Sequence, residues 1–246
     1  MIKFDNTDPL IMPADIYPQH QFFSDKCMIV FSNEIMDYMV NNFKHEQISL
    51  KRQCNGHIPV YLFEIDGLKF VSYLTNVGSC GASNDVIETN WLTGPTKFVM
   101  FGSAGSLNRE VTEGKYVIPE AAFRDEGMSY HYAPDSDYIT VKNAGRVKEI
   151  FDELKVPYVV GKTWTTDAFF RETKGKFERL TADGCLAVEM EVAGVQAVCD
   201  FYGFELYNFL MTGDVLSDSE YDYSGLHNAN HDMDKFFIGL EILKRI

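Results

Sequence analysis

Val188-Glu189-Met190-Glu191 sets two carboxylates in a stretch that is otherwise apolar, with Leu186, Ala187, Val192, Ala193 and Val195 around them. A charge in such surroundings has to be solvated, paired or used, because an unpaired buried charge is costly. A third carboxylate, Asp214, follows one helix and one strand later. The segment from Gly203 to Met211 reads as a turn into a strand that delivers Thr212-Gly213-Asp214 at its carboxyl end, where ligands bind in open α/β sheets. One acid at a strand-to-helix junction and another at a neighbouring strand end can grip a polyol on one side and protonate a leaving group on the other. Each acid also has a plainer role open to it. Glu191 can serve a helix N-terminus and Asp214 can cap a turn; it is the pair that lifts the chemical reading above these.

Other segments offer binding groups. Gly102-Ser103-Ala104-Gly105 follows a strand directly, and its small residues would let backbone N–H groups approach an anion. A tight strand-exit turn explains the same residues equally well. Gly78-Ser79-Cys80-Gly81 has the same two readings, with the turn favoured. After a strand over 158–164 comes Thr165-Thr166-Asp167-Ala168-Phe169-Phe170-Arg171-Glu172. Phe169 there could stack on a flat heterocycle, although adjacent phenylalanines more often belong to a core, and Asp167 could be a helix N-cap. His131, in a polar aromatic loop, is more often structural than catalytic. The acidic run Asp214, Asp218, Glu220, Asp222 does not match the EF-hand spacing and reads as a solvated loop, so no metal is expected.

These residues need a scaffold, and the pattern supplies one. The 246 residues suit one large α/β domain spanning 1–246, and 46% hydrophobic content gives it a substantial core. Short apolar strands at 27–31, 58–65, 69–75, 97–101, 116–118, 158–164, 185–190 and 205–211 alternate with helical patterns at 33–43, from the Gly-containing loop 76–83 up to about 92, and at 143–154, 174–182, 191–202 and 230–245. Asp66-Gly67 marks a hairpin between two of the strands, and Gly203 fits a helix C-cap. The alternation predicts a doubly wound α/β sandwich. The first 25 residues, with Pro9, Pro13 and Pro18, wrap the surface. A net charge of −14 argues against nucleic acid or an anionic membrane surface as partner. Five scattered cysteines without a CxxC fit reduced thiols. With no signal-peptide pattern and no membrane-length apolar run, the expectation is a cytoplasmic protein.

Taken in order from residue 27 to 240, the chain resembles the nucleoside phosphorylase family, which includes purine nucleoside phosphorylase, uridine phosphorylase and methylthioadenosine/adenosylhomocysteine nucleosidase. Val188-Glu189-Met190-Glu191 followed by Ala193-Gly194 is the most specific element. Gly102-Ser103-Ala104-Gly105, Arg124-Asp125-Glu126-Gly127, Thr166-Asp167-Ala168-Phe169-Phe170 and Gly213-Asp214 support it. The resemblance implies a three-layer α/β/α sandwich around a mixed, twisted central sheet. It implies cleavage of a ribosyl N-glycosidic bond, and a homo-oligomer, dimer or hexamer, in which a neighbour completes each site. Glu191 would hold the ribose hydroxyls, Met190 would pack beneath the sugar, and Phe169 would stack on the base. Glu189 and Val188 would line the base pocket, and Asp214 would protonate or hydrogen-bond purine N7. Gly102 and Ser103 would lie near the nucleophile, and Arg52 would match an arginine donated across a subunit interface.

Phosphorolysis, with inorganic phosphate as co-substrate and no cofactor, is the first expectation. The chain departs from the family where phosphate would sit. Met100 stands two residues before Gly102-Ser103, where an arginine is usual, and Ser32 and Met36 replace the glycine and arginine of the loop after the first strand. Methionine cannot give arginine's bidentate recognition of phosphate. Hydrolysis, with Glu34 near the water, is therefore the alternative, and a nucleoside-binding protein without catalysis the third. The base, purine or pyrimidine, stays open, as does a phosphate site rebuilt around Arg52 or Arg124.

Overall fold

A computed structural model describes residues 4–54, 56–217 and 220–246; Asp218, from the acidic run, lies outside them. The strands are β1 (Lys26–Val30), β2 (Lys44–Gln53), β3 (Gly56–Ile65), β4 (Leu68–Leu74), β5 (Lys97–Ser106), β6 (Tyr116–Asp125), β7 (Tyr138–Thr140), β8 (Tyr158–Thr166), β9 (Cys185–Glu189), β10 (Glu205–Leu216) and β11 (Tyr221–Asp222). The helices are α1 (Pro13–Ile16), α2 (Asn33–Asn42), α3 (Ser79–Thr93), α4 (Arg109–Thr112), α5 (Ala144–Leu154), α6 (Lys174–Ala182), α7 (Val192–Tyr202), α8 (Leu226–His231) and α9 (Asp234–Arg245). Local signals set several boundaries. Asp66 and Gly67 both take positive φ, the primed turn that matches strand twist, between β3 and β4. Ser32 caps α2 by accepting from the Ile35 N–H at 3.2 Å. Gly203, at φ +72°, ends α7.

The fold is the expected α/β arrangement of helices around a mixed central sheet. Its strand order is β11-β10-β6-β8-β9-β5-β1-β4-β3-β2, with β7 on β6. An additional β10–β5 pairing closes β5, β10, β6, β8 and β9 into a ring. Phe101 and Phe209 pack with Phe151 of α5 on the face of these strands that α5 and α9 cover, with ring centroids 5.6 Å (Phe101–Phe209) and 5.3 Å (Phe151–Phe209) apart. α3 packs on α7, and α5 on α9.

Three differences from the sequence expectation shape the site. Gly102–Gly105 is not a loop at the strand exit but the continuation of β5. β10 runs beside β5 from Lys97 to Ser106, so β1 and β9 share the other edge of β5. β1 pairs as far as Met100 and β9 begins at Gly105, which leaves the edge open between them. Thr212-Gly213-Asp214 likewise lies within β10, at a bulge where the register shifts between Thr212 and Asp214. The expected C-terminal helix is two helices. Asp232 is extended, its carboxylate accepts from the Asp234 N–H at 2.7 Å, and the Lys235 ammonium satisfies the carbonyls of Ala229 and Asn230 that end α8.

A buried ion pair steadies the loop between β4 and α3. Lys51 and Asp85 are both fully buried, with Nζ 2.7 Å from Oδ1. The other Asp85 oxygen accepts from the Asn76 N–H at 3.0 Å and the Thr75 hydroxyl at 2.9 Å. Burial holds the Lys51 ammonium down to about 8, while Asp85 opposes that shift. Asp85→Ala would strand a buried lysine, so urea denaturation should show a loss of about 3–5 kcal/mol. A loss within the range of ordinary surface substitutions would contradict this account of the loop.

Candidate active site

The open edge of β5 forms the floor of a cavity of about 320 Å³. Gly102, Ser103, Phe169, Val188, Glu189, Met190, Glu191 and Asp214 all line it. Eight of the nine residues named from sequence as catalytic or substrate-binding are thus brought together. The ninth, Arg52, is exposed on β2, outside the cavity of its own chain, and its backbone N–H donates to the Tyr17 hydroxyl.

The three acids differ in their surroundings. Glu189, the last residue of β9, has its carboxylate turned inward. One oxygen accepts the N–H groups of Glu191 and Val192, both at 2.7 Å; the other accepts the hydroxyls of Thr165 and Thr163. It therefore acts as the N-terminal cap of α7 while lining the cavity wall. Glu191, at the N-cap position, accepts the Gly78 N–H at 2.6 Å, and the Ser79 hydroxyl donates to the Met190 carbonyl at 2.9 Å. That clip needs α3 and α7 close together: a Cβ on Gly194 would lie 2.7 Å from Ser79 Cβ. Asp214 is 3% exposed, and a Cβ on Gly105, its neighbour across the strands, would lie 3.2 Å from its carboxylate and 2.9 Å from Val188. Gly105 thus clears the space that Asp214 occupies.

Burial raises all three carboxyls. Glu191 is pushed to about 8, first by burial and then by the charge of Glu189. Glu189 rises to about 7 through burial, against the pull of its hydrogen bonds. The helix N-terminus and four donors favour the charged form of Glu189, so Glu191 is the one of the pair that keeps its proton longer. Burial lifts Asp214 above the ordinary carboxylate range, while Tyr221 beside it pulls the other way.

The far end of the cavity adds Asn230, His231 and Lys235, which the sequence did not single out, to Ser32 and Ser103, which it did. The Ser32 hydroxyl is 2.8 Å from His231 Nδ1, and Nε2 of that ring is 3.7 Å from Glu34. Ser103 donates to the Asn230 side chain. Lys235 lines the cavity, is 2% exposed, and spends two donors on backbone carbonyls. Burial lowers its ammonium to about 8, and no ion-pair partner for it is found among the described residues. Met36 and Met100 are buried in the core. Arg124 does not supply a phosphate site: its guanidinium is spent on Ser129 and on the carbonyls of Ala133, Pro134 and Ser136, ordering the loop after β6. Asp167 accepts the Gly127 N–H from that loop rather than capping a helix, and His131 is exposed in a 3₁₀ turn. Among the described residues, no three His, Cys, Asp or Glu side chains converge on a common point that could hold a metal ion.

Residues 20–238 match the model of the family described as the phosphorylase superfamily. A DeoD-type purine nucleoside phosphorylase from Colwellia psychrerythraea (strain 34H / ATCC BAA-681) is 28% identical over 219 residues, 87% of this chain and 84% of that one. The purine nucleoside phosphorylase of Toxoplasma gondii, solved with immucillin-H, superposes with a TM-score of 0.74 at 17% identity, over 91% of both chains. The futalosine hydrolase of Helicobacter pylori strain 26695 superposes with a TM-score of 0.71 at 14% identity, over 90% of this chain and 97% of that one.

The raised acids give stability a predictable pH dependence. Between the ordinary carboxylate range and about pH 8 the folded chain holds protons the unfolded chain has released, so stability falls as pH rises through that window. Glu191→Gln cannot ionise, yet its amide oxygen can still accept the Gly78 N–H. Urea midpoints at pH 5, 6, 7 and 8 should show the variant gaining on the parent as pH rises. A gap that stays constant with pH would place the Glu191 proton elsewhere.

Proposed function

The chain belongs to the phosphorylase superfamily, and from that premise we propose that it cleaves the N-glycosidic bond of a nucleoside, releasing free base. The observation that carries this reading is one cavity with Glu191 and Met190 on its wall and Asp214 and Phe169 beside them. Glu191 would hold the ribose hydroxyls over Met190, with the base on the exposed face of Phe169. As the C1′–N bond breaks, its electron pair goes to the base and positive charge develops on the sugar. The Glu189 carboxylate in the cavity wall, whose four donors favour its charged form, favours that charge. Asp214, whose carboxyl is raised by burial, would give a proton to the departing base.

For the nucleophile we propose inorganic phosphate, yielding ribose 1-phosphate or its deoxy counterpart. Lys235 supports this: its buried ammonium has a third donor unused by the two carbonyls, and an uncompensated buried cation favours an anion. Ser32, Ser103 and His231 line the same cavity with hydrogen-bonding side chains. Water as the nucleophile is a second reading, favoured by the burial of Met36 and Met100 and by the absence of arginine among the described lining residues. His231, set between Ser32 and Glu34, could then take the proton of water.

We also propose a homo-oligomer. Val77, on the cavity wall, is 68% exposed, and Leu10, Ile11 and Phe22 present further apolar surface that a neighbouring copy would cover. Arg52 would then reach a neighbour's cavity. Among the described residues no helix is long and apolar enough to cross a membrane. The unpaired cysteines support a reducing, cytoplasmic setting.

Base release from purine and pyrimidine nucleosides, measured with and without phosphate, tests the reading. Phosphate-dependent release is expected, and Asp214→Asn should lower kcat on a purine nucleoside by about 10²–10⁴. Phosphate-independent release of free ribose would select water. No release from any nucleoside would leave a binding protein.

A further inference from the structure

A second cavity, of about 440 Å³, lies beside the first and takes no part in the proposed cleavage. Phe169 and Glu172 line both, so the two share a wall. The remaining walls are largely apolar: Phe170 in the 3₁₀ turn Phe169–Arg171, Phe177 on α6, Leu216 at the end of β10 and Tyr221 on β11. The junction lies next to Asp214. A Cβ on Gly105 would meet the Leu216 side chain at 2.7 Å and the Asp214 carboxylate at 3.2 Å, so a wall residue of the second cavity and the acid of the first stand side by side. Tyr221, which pairs with Leu216 across β10 and β11, continues that wall.

Phe170 is 93% exposed and packs edge-to-face on Phe169, with ring centroids 5.0 Å apart. An aromatic ring left in water at the wall of a cavity is apolar surface that a ligand group would cover. The charged side chains of the lining are two acids, Glu172 and Glu220, and one lysine, Lys174, which gives an anionic group no net attraction. An uncharged apolar group suits these walls. The base sets the direction in which such a group would point. Purine N7 and the 6-amino nitrogen share one edge. With N7 at Asp214, a substituent on that nitrogen leaves the first cavity on the side where the second begins.

We propose that the second cavity takes an uncharged apolar substituent on the 6-amino nitrogen of a purine, which makes the preferred substrate a 6-alkylamino- or 6-arylmethylaminopurine nucleoside. The proposal rests on the first cavity being a nucleoside site with its base on Phe169. It assigns Phe170 to specificity and gives it no part in bond cleavage. Covering part of a benzyl group in such a cavity corresponds to a gain of about 10-fold over the unsubstituted amine.

Two measurements separate this inference from the catalytic reading. Calorimetric titration with adenine, 6-methylaminopurine and 6-benzylaminopurine reads the second cavity without turnover, and kcat/KM for adenosine and 6-benzylaminopurine riboside reads it during turnover. Affinity should rise along the series, with the benzyl compound ahead of adenine by that margin. Phe170→Ala should remove most of the gain while leaving adenine binding and the melting temperature unchanged. Phe170→Leu, which keeps apolar surface at the same place, should retain part of it. A gain that depends on Phe170, without any turnover, would uphold the second cavity and overturn the catalytic proposal. Adenine bound more tightly than 6-benzylaminopurine, or a gain that survives Phe170→Ala intact, would overturn the second cavity alone. Binding of no purine would also overturn it, and release of uracil from uridine by the same preparation would then leave bond cleavage standing. A parent without the gain, whose Phe170→Ala variant sediments as a smaller species, would assign the ring to a contact between copies and overturn the proposal.

Discussion

Glu189 ends β9 with its carboxylate inside the protein, and what it accepts there fixes the turn on which the cavity depends. Two of its partners are the first N–H groups of α7, which a helix leaves unsatisfied. Two others are hydroxyls of β8, so one side chain joins a helix start to two strands. Hydrogen bonds to a charged acceptor contribute about 1.5–3 kcal/mol each, which offsets the burial of the charge. Thr165 extends the arrangement by accepting the Ala193 N–H at 3.0 Å while donating to Glu189. The turn that results puts Met190 on the cavity wall and directs Glu191 toward Gly78. The two glutamates of the motif thus divide their labour: one builds the turn, and the other is carried by it.

The same burial that makes Glu189 structural gives the cavity its electrical character. Glu191, Asp214 and Glu172 are all raised by desolvation, which shifts each toward its protonated form relative to a surface acid. Lys235 stands at the opposite end with its ammonium pulled down by the same cause. Acids shifted toward their protonated form and a lysine that tends to lose its proton lower the charge the empty cavity must carry. In a chain of net charge −14 this matters for any anion that enters. Local desolvated groups, rather than the overall field, decide whether it stays.

Much of this was legible in the sequence because polarity stood out against its surroundings. Glu189 and Glu191 interrupt an apolar run, and Asp214 closes a strand pattern. The family match of residues 20–238 agrees with the resemblance drawn from those same residues. What escaped notice was polar among polar. Asn230, His231 and Lys235 lie where periodicity reads one continuous helix over 230–245, and the break at Asp232-Met233 that turns them to the cavity comes from capping contacts. The acid on each side of Met233 was the available signal. Glu172 follows Phe-Phe-Arg in a segment already read as polar, and only its place in the cavity lining distinguishes it.

Glycine-containing segments misled in an instructive way. Gly102-Ser103-Ala104-Gly105 and Thr212-Gly213-Asp214 both looked like strand ends, yet they lie side by side within β5 and β10. At Gly105 and Gly213 glycine is needed for clearance, not for a turn. A Cβ on Gly213 would lie 2.6 Å from Ala229 Cβ, and α8 must come that close to bring Asn230 and His231 to the cavity. The bulge beside Gly213 shifts Asp214 opposite Gly105, which has no side chain to obstruct it. Pairing continues past the point where an ordinary α/β strand would stop, because β9 and β10 close the ring around β5. The cavity is therefore not outside the sheet's carboxyl edge, where the alternation of strands and helices predicts a site. It lies in the gap where β1 has stopped pairing with β5 and β9 has not yet begun. That gap is bounded by hydrogen-bonded strand on both sides, which makes it a rigid frame for groups whose chemistry depends on being held out of water.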